Sequence, residues 1–314
     1  MSAQKWLRSS LNNLKQRLAE LGHKLSEPTI ARLLKKAKYS LRLNVKKKEA
    51  SAFHPNRDLQ FEYIESQKHD FFLAELPVIS VDSKKKELIG NFKNGGAAWV
   101  DQPDYVNVHD FPQEALGKAV PYGIYDLTYK TGSIYVGQSS DTAEFAVDAL
   151  VKWWLQSGLY LYPKARHLLI LADGGGSNAY RSHLWKQQIQ TKLCDKLALN
   201  VTVCHYPTGC SKWNPIEHRL FGPISLNWAG KPLRSWDVLL NYLRGTTTKS
   251  GLKVSAELLS GEYTKGQKVS PQAYKELSIE RHEVCPEWNY TLMPRLFSTG
   301  LALASLEHNR EVVS

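Results

Sequence analysis

The run His167-Leu168-Leu169-Ile170-Leu171-Ala172-Asp173-Gly174-Gly175-Gly176 decides the fold. Its apolar residues are continuous rather than alternating, so both faces must be covered, and the run reads as a buried parallel strand. Asp173 leaves that apolar core with few local counter-charges, and a carboxylate there needs a cation or hydrogen bonds. Residues 180–197 after it read as a helix, and residues 199–205 as a β-branched strand. Pro207, Gly209 and Pro215 then mark a loop before a helix running from Ile216 to about Trp228. On the other side, Asp141 reads as a helix N-cap, with Glu144 completing a capping box. That helix carries Phe145, Leu150, Trp153 and Trp154 and is expected to stop near Gly158. Residues 122–129 and 133–136 flank Lys130-Thr131-Gly132, a hairpin signal. Residues 76–82 form a strand that again ends in an acid, Asp82, and residues 87–92 form another.

The resulting order is strand, antiparallel hairpin, helix, strand, helix, strand, helix. It predicts an α/β chain with a mixed sheet, an antiparallel meander followed by parallel strands joined by crossover helices. A ribonuclease-H-like fold has this order. The signals thin beyond Gly230: residues 236–243 read as a short helix, and residues 245–290 are rich in Gly, Thr and Lys. The expected organisation is a basic helix-turn-helix-like segment at 1–45 and a linker and start of the core at 46–70. A core at 71–230, its C-terminal extension at 231–294 and a tail at 295–314 follow.

The 314 residues are 42% hydrophobic and 23% charged, which is ordinary for a globular chain and excludes a disordered or collagenous class. No apolar run approaches the roughly 18 residues needed to span a bilayer. Residues 1–10 hold no secretory h-region. Cys194, Cys204, Cys210 and Cys285 contain no C-x-x-C pair and no export signal is read, so a reduced cytoplasmic protein is expected. The net charge of +11 is concentrated. Residues 1–48 hold thirteen Lys or Arg against Glu20 and Glu27, which accounts for all of it. A basic head on a near-neutral body fits a phosphate-binding arm.

That head reads as two helices. Apolar residues recur at Trp6, Leu7, Leu11, Leu14, Leu18 and Leu21, and Gly22 stops the run. Ser26 is an N-cap with Glu27 and Pro28 in the first turn. The second helix runs to about Ala37, with Ile30, Leu33 and Leu34 inward and Arg32, Lys35, Lys36 and Lys38 outward. A tight turn before a basic second helix fits helix-turn-helix, although any small helical hairpin shows the same pattern. Lys46-Lys47-Lys48 and the polar stretch to Arg57 read as a linker.

Three acids carry the candidate chemistry: Asp82 and Asp173 at strand ends, and Glu217 in the first turn of a helix, within Asn214-Pro215-Ile216-Glu217-His218-Arg219. Strand ends of an open α/β sheet face the crevice where ligands bind. Taken singly, each acid is ordinary as a turn residue or a helix-dipole partner. Together they can hold two Mg2+ ions roughly 4 Å apart for in-line phosphoryl displacement. Gly174, Gly175 and Gly176 admit either close approach of a backbone or a flexible turn, and Ser177 or Asn178 reads as a cap. Lys212 and Arg219 are candidate phosphate contacts and Trp213 a stacking residue, whereas His218 reads as a packing residue. Trp153, Trp154 and Trp185 fall at helical spacing and read as core. Cys204, His205, Cys210 and His218 fit no zinc spacing. The P-loop, G-x-G-x-x-G and G-x-S-x-G signatures are absent.

Longer motifs carry a resemblance. Residues 78–92 read Val-Ile-Ser-Val-Asp-Ser-Lys-Lys-Lys-Glu-Leu-Ile-Gly-Asn-Phe. Residues 171–178 read Leu-Ala-Asp-Gly-Gly-Gly-Ser-Asn, and residues 211–221 read Ser-Lys-Trp-Asn-Pro-Ile-Glu-His-Arg-Leu-Phe. With Val108-His109-Asp110-Phe111, residues 141–146 and Glu287-Trp288-Asn289-Tyr290, they closely resemble DDE transposases of the ISAzo-thirteen insertion-sequence family. These carry the Rhodopirellula-type DDE domain, and the resemblance covers roughly residues 6–293. More distantly, Asn214-Pro215-Ile216-Glu217 is similar to the last acidic motif of mariner-like transposases. The resemblance implies a ribonuclease-H-like core with Asp82, Asp173 and Glu217 as metal-binding triad, using two Mg2+ ions with Mn2+ as substitute. It implies strand cleavage and strand transfer at the ends of an insertion sequence. Its implied partners are double-stranded DNA, as terminal repeats and target, and a second copy of the chain. The family's longer N-terminal region makes this an expected N-terminally truncated copy, and Ala179 stands where the family commonly has glycine. Two alternatives stay open: an inactive remnant that only binds DNA, and a nuclease that cuts without rejoining.

Overall fold

The computed structural model describes residues 9–39, 54–107 and 112–295. The expected linker lysines 46–48, the motif at 108–111 and all of the tail but Arg295 lie outside those residues. The chain forms two compact units, Met1–Ala52 and Phe53–Ser314.

The first unit is a helical hairpin of α1 (Leu11–Glu20) and α2 (Glu27–Lys36). Ser10 caps α1 by accepting the Asn13 N–H at 3.1 Å; Trp6 and Leu7 of the expected apolar period lie outside the described residues. Ser26 caps α2 as expected, accepting from the Thr29 N–H. Ile30 is buried, but Leu33 is 47% exposed, because among the described residues this pair of helices offers it no third element to pack on.

The second unit is built on a mixed sheet of β1 (Val78–Ser83), β2 (Glu87–Ile89), β3 (Gly117–Asp126), β4 (Thr131–Gly137), β5 (His167–Ala172), β6 (Asn200–His205), β7 (Lys253–Leu258), β8 (Ile279–Arg281) and β9 (Asn289–Leu292). The order is β7-β4-β3-β1-β5-β6-β9-β8, with β2 paired to β3. β1, β3 and β4 form the antiparallel meander, and β5 and β6 continue parallel beside β1. This is the ribonuclease-H-like order expected from the sequence. The stretch of weak signals after Gly245 supplies β7 parallel to β4 and β9 antiparallel to β6.

β5 shows why its run is apolar throughout. Leu168, Ile170 and Ala172 pack with α4 (Ala143–Trp153) and α5 (His183–Ile189) on one face. Leu169 and Leu171 pack with Ile64 of α3 (Arg57–Leu73) on the other. The same opposite face is covered further along by α6 (Gly222–Asn227), entered through a π-turn at Glu217–Phe221, and by α7 (Trp236–Arg244). Trp153, Trp154 and Trp185 are core residues, as expected.

The structure corrects several sequence readings. Residues 57–73, to which the sequence reading gives no element, form the 17-residue α3. Its apolar residues are spread around the helix, so no stripe marks it. The N-cap of α4 is Thr142, whose hydroxyl accepts the Phe145 N–H at 3.2 Å, and not Asp141. α4 runs on past Gly158 through a π-turn to Leu161. Ser182, not Ser177 or Asn178, caps α5, accepting the Trp185 N–H.

Candidate active site

Strand register places two of the three acids. Val81 of β1 pairs with Ala172 of β5 in a parallel ladder, so Asp82 and Asp173 follow at the same level on neighbouring strands. Side chains alternate along a strand. Ile79 and Val81 belong to the α4–α5 face, which turns Asp82 to the opposite face; Leu169 and Leu171 define that opposite face on β5, on which Asp173 is next in phase.

Glu217 arrives on that same face through a close helix–sheet contact. A Cβ on Gly123 would stand 2.5 Å from the Phe221 ring and 2.9 Å from Ile216 Cδ1, and one on Gly132 would stand 2.4 Å from Leu220. The missing side chains let the helix carrying Glu217 settle on β3 and β4. Gly123 is also the register partner of Asp82. The turn before the helix is tied to β1. Ser80 Oγ donates to Asn214 Oδ1 and accepts the Ile216 N–H at 3.1 Å, and Asn214 Nδ2 donates to the Val81 carbonyl at 3.2 Å. Ser80 and Asn214 are fully buried.

A second set of bonds surrounds Asp82. The Ser83 N–H donates to Asp82 Oδ1 at 2.7 Å, and Ser83 Oγ donates to Asp141 Oδ1 at 3.0 Å. Ser177 Oγ lies 3.1 Å from Ser83 Oγ, and Tyr122 Oη donates to Asn178 Oδ1 at 2.8 Å. The Gly175 N–H donates to Asp173 Oδ1 at 3.3 Å. Added Cβ atoms at Gly175 and Gly176 would meet nothing within 4 Å, so no close contact within the chain requires glycine there; Gly176 alone has a left-handed φ of +64°. Behind Asp173 runs a buried relay. Trp185 Nε1 donates to Tyr290 Oη at 3.0 Å, Tyr290 Oη lies 3.3 Å from His205 Nε2, and His205 Nδ1 lies 3.0 Å from the Asp173 carbonyl oxygen. These contacts assign the neutral imidazole with its proton on Nδ1, so that it donates to Asp173.

The electrostatics mark the acids as a group. Desolvation pushes the Asp82 carboxyl well above the ordinary carboxylate range; the charge of Asp173 adds to it, the Ser83 N–H opposes it, and Glu217 and Asp141 raise it further. Asp173 is raised by desolvation, against the Gly175 hydrogen bond, with Glu217 adding to the rise. Among the described residues no Lys or Arg lies within ion-pair distance of Asp82, Asp173 or Glu217. Lys84, the cation that feels the charge of Glu217, is engaged by Glu87 at 3.6 Å and sits over the Trp228 ring. In donor chemistry the set fits a hard divalent cation: carboxylate oxygens, with Asp82 and Asp173 partly desolvated and repelled by their acidic neighbours. The three do not converge on one point, however. Among the described residues no three His, Cys, Asp or Glu side chains stand close enough to share an ion.

The other predicted residues are spread over both units. Arg32, Lys35, Lys36 and Lys38 are exposed on α2 and just beyond it. Lys212, Trp213 and Arg219 are exposed beside Glu217, with the Lys212 ammonium 5.8 Å from the Trp213 ring centre. His218 is exposed rather than packed, and hydrogen-bonds the Lys212 carbonyl through Nε2. Sequence reasoning assigned no role to Ser80, Ser83, Asn214 or the His205 relay. Ser80, Ser83, Asn214 and Tyr290 carried one signal only, their place inside the motifs that bear the family resemblance.

Comparison with known proteins gives one match spanning nearly the whole chain: the Rhodopirellula transposase DDE domain, over residues 1–294. No curated protein matches. Among solved structures, the Mos1 transposase paired-end complex with left transposon end is 14% identical, with a TM-score of 0.43, over 75% of this chain and 66% of that one. The Mos1 mariner paired end complex with Mn is 15% identical, with a TM-score of 0.41, over 75% and 66%. The Mos1 Strand Transfer Complex is 15% identical, with a TM-score of 0.42, over 75% and 65%. The chain thus spans just under two thirds of the length of these solved chains.

Proposed function

The chain belongs to the Rhodopirellula transposase DDE domain family, and from that premise we propose that it cuts and joins DNA by divalent-metal-dependent phosphoryl transfer at the ends of an insertion sequence. The observation that carries this reading is the pair Asp82 and Asp173, side by side on register-matched strands, with Glu217 held above the same face. Asp82, Asp173 and Glu217 would hold two Mg2+ ions, with Mn2+ as substitute. Metal bound there would supply Lewis-acid activation of an attacking oxygen and charge stabilisation at the leaving oxygen.

The chain's own groups organise that chemistry. The Ser83 and Gly175 N–H groups orient one oxygen each of Asp82 and Asp173. Ser80 and Asn214 hold the turn that presents Glu217. Lys212, Trp213 and Arg219 flank Glu217 and would meet DNA near the reacting phosphate. Arg32, Lys35, Lys36 and Lys38 of the basic segment at 1–45 would contact the phosphates of the terminal repeats. Two such ends must be held together for joining, which favours a homodimer on DNA, acting in the cytoplasm on nucleoid DNA.

Mn2+ binding followed by electron paramagnetic resonance tests the metal assignment. The wild-type protein is expected to take up Mn2+ and Asp173→Ala to lose it while staying folded and retaining DNA binding. Unchanged Mn2+ uptake by Asp173→Ala, Asp82→Ala and Glu217→Ala would refute the assignment.

A further inference from the structure

A groove of about 630 Å³ opens on the face of the sheet that carries Glu217. Its floor is apolar and aromatic: Tyr125 is buried there and Phe72 of α3 is partly exposed. Its rim carries the cations Lys68, Lys130 and Arg219 with His218 beside them, and among the described residues no Asp or Glu lines it. Lys68 is neutralised by Glu65 at 2.7 Å, whereas among the described residues Lys130 and Arg219 have no carboxylate within ion-pair distance. Lys130 sits at the tip of the β3–β4 turn with φ +56°. His218 and Arg219 follow Glu217 directly. Within the π-turn Glu217–Phe221, His218 and Arg219 are exposed and line the groove one and two residues after Glu217. The groove therefore opens within one helical turn of the candidate active site.

Cationic rims over an aromatic floor are what single-stranded nucleic acid needs: phosphates on the rim, base faces on the apolar floor. A duplex keeps its bases stacked inside and cannot put them on a recessed floor without unpairing. The volume suits one or two nucleotides of a single strand. We infer that this groove binds an unpaired DNA strand, the one freed beside the scissile phosphate, with Lys130 and Arg219 on its phosphates and Phe72 and Tyr125 under its bases. The inference rests on the DNA-processing reading above and adds to it a second DNA site, distinct in the form of DNA it takes.

The test compares a short fluorescein-labelled oligothymidylate with a labelled duplex by anisotropy, in EDTA so that no cleavage intervenes. Wild-type protein is set against Lys130→Glu/Phe72→Ala, two positions at the groove's exposed edge, and the milder Lys130→Gln. Single-strand affinity is expected to fall about tenfold in the double variant and by less in Lys130→Gln, with duplex affinity unchanged within about twofold and the melting temperature retained. A 5-iododeoxyuridine strand should crosslink to the peptides carrying Phe72 or Tyr125. Equal weakening for both forms of DNA would overturn the single-strand assignment, and no weakening with no crosslink would remove nucleic acid from the groove. Failure of the metal-binding test with these results intact would refute the triad and leave the groove standing.

Discussion

Ser80 and Asn214 are bound to each other across the boundary between sheet and helix, wholly out of solvent. Ser80 lies two residues before Asp82, and Asn214 three before Glu217. One polar pair thus sets the spacing between the strand that carries one acid and the helix that carries another. Removing either partner leaves a buried polar group unsatisfied, at a cost of about 1–3 kcal/mol. Asn214→Ala is expected to melt earlier and to lose DNA cleavage more steeply than it loses stability, measured at a temperature where the variant is fully folded. Cleavage at the wild-type rate in folded Asn214→Ala would show that the pair only stabilises.

Gly123 is expected to reject any side chain. A methyl there would collide with the Phe221 ring and with Ile216, both in the segment that carries Glu217. Gly123→Ala should cost about 1–3 kcal/mol by overpacking. Thermal unfolding measures that cost, and an unchanged melting temperature would mean that the helix is not seated as described.

The raised Asp82 carboxyl makes stability depend on pH in a defined direction. Its pKa is higher in the folded protein than in the unfolded chain, so between those values the folded state binds more protons. The contribution is fully present below the ordinary carboxylate pKa and is lost as pH rises through the folded value. Metal-free protein should therefore melt lower at pH 8 than at pH 5. Asp82→Asn should recover part of the loss at pH 8, at about 2–4 °C per kcal/mol. Melting curves in EDTA decide it, and a wild type more stable at pH 8 than Asp82→Asn would contradict the electrostatic account.

His205 acts in the opposite sense. Burial lowers its pKa to about 4, against the hydrogen bond to Asp173. The unfolded chain binds the extra proton between about 4 and the ordinary histidine value, so this histidine removes stability as pH falls through that window. His205→Gln should flatten the acid limb of the melting-temperature profile. An acid limb identical to the wild type's would assign the pH dependence to other groups.

The strands of the sheet's centre were legible because burial wrote itself into them. The run at His167–Ala172 is apolar on both faces, and the structure covers both faces. α3 escaped because its apolar residues, from Leu59 and Phe61 to Phe72, lie all around the helix. The cap of α4 was misread by one residue because Asp141 and Thr142 are both good caps, and Glu144 completes a box only for the former. β8 and β9 are short strands, of three and four residues, without clear alternation. The acids stood out by position at strand ends, but the ties that hold them do not. Ser80 and Asn214 are 134 positions apart, and their pairing depends on the whole sheet being assembled.

The measurement that tests the central claim most directly is strand cleavage of duplex DNA carrying the sequences that flank this gene, in Mg2+ or Mn2+, by wild-type protein and Asp173→Asn in parallel. The account predicts metal-dependent cuts at the flanking ends by the wild type and none by Asp173→Asn, with DNA binding retained by both. Full cleavage by Asp173→Asn, or binding without any cut by the wild type, would contradict it.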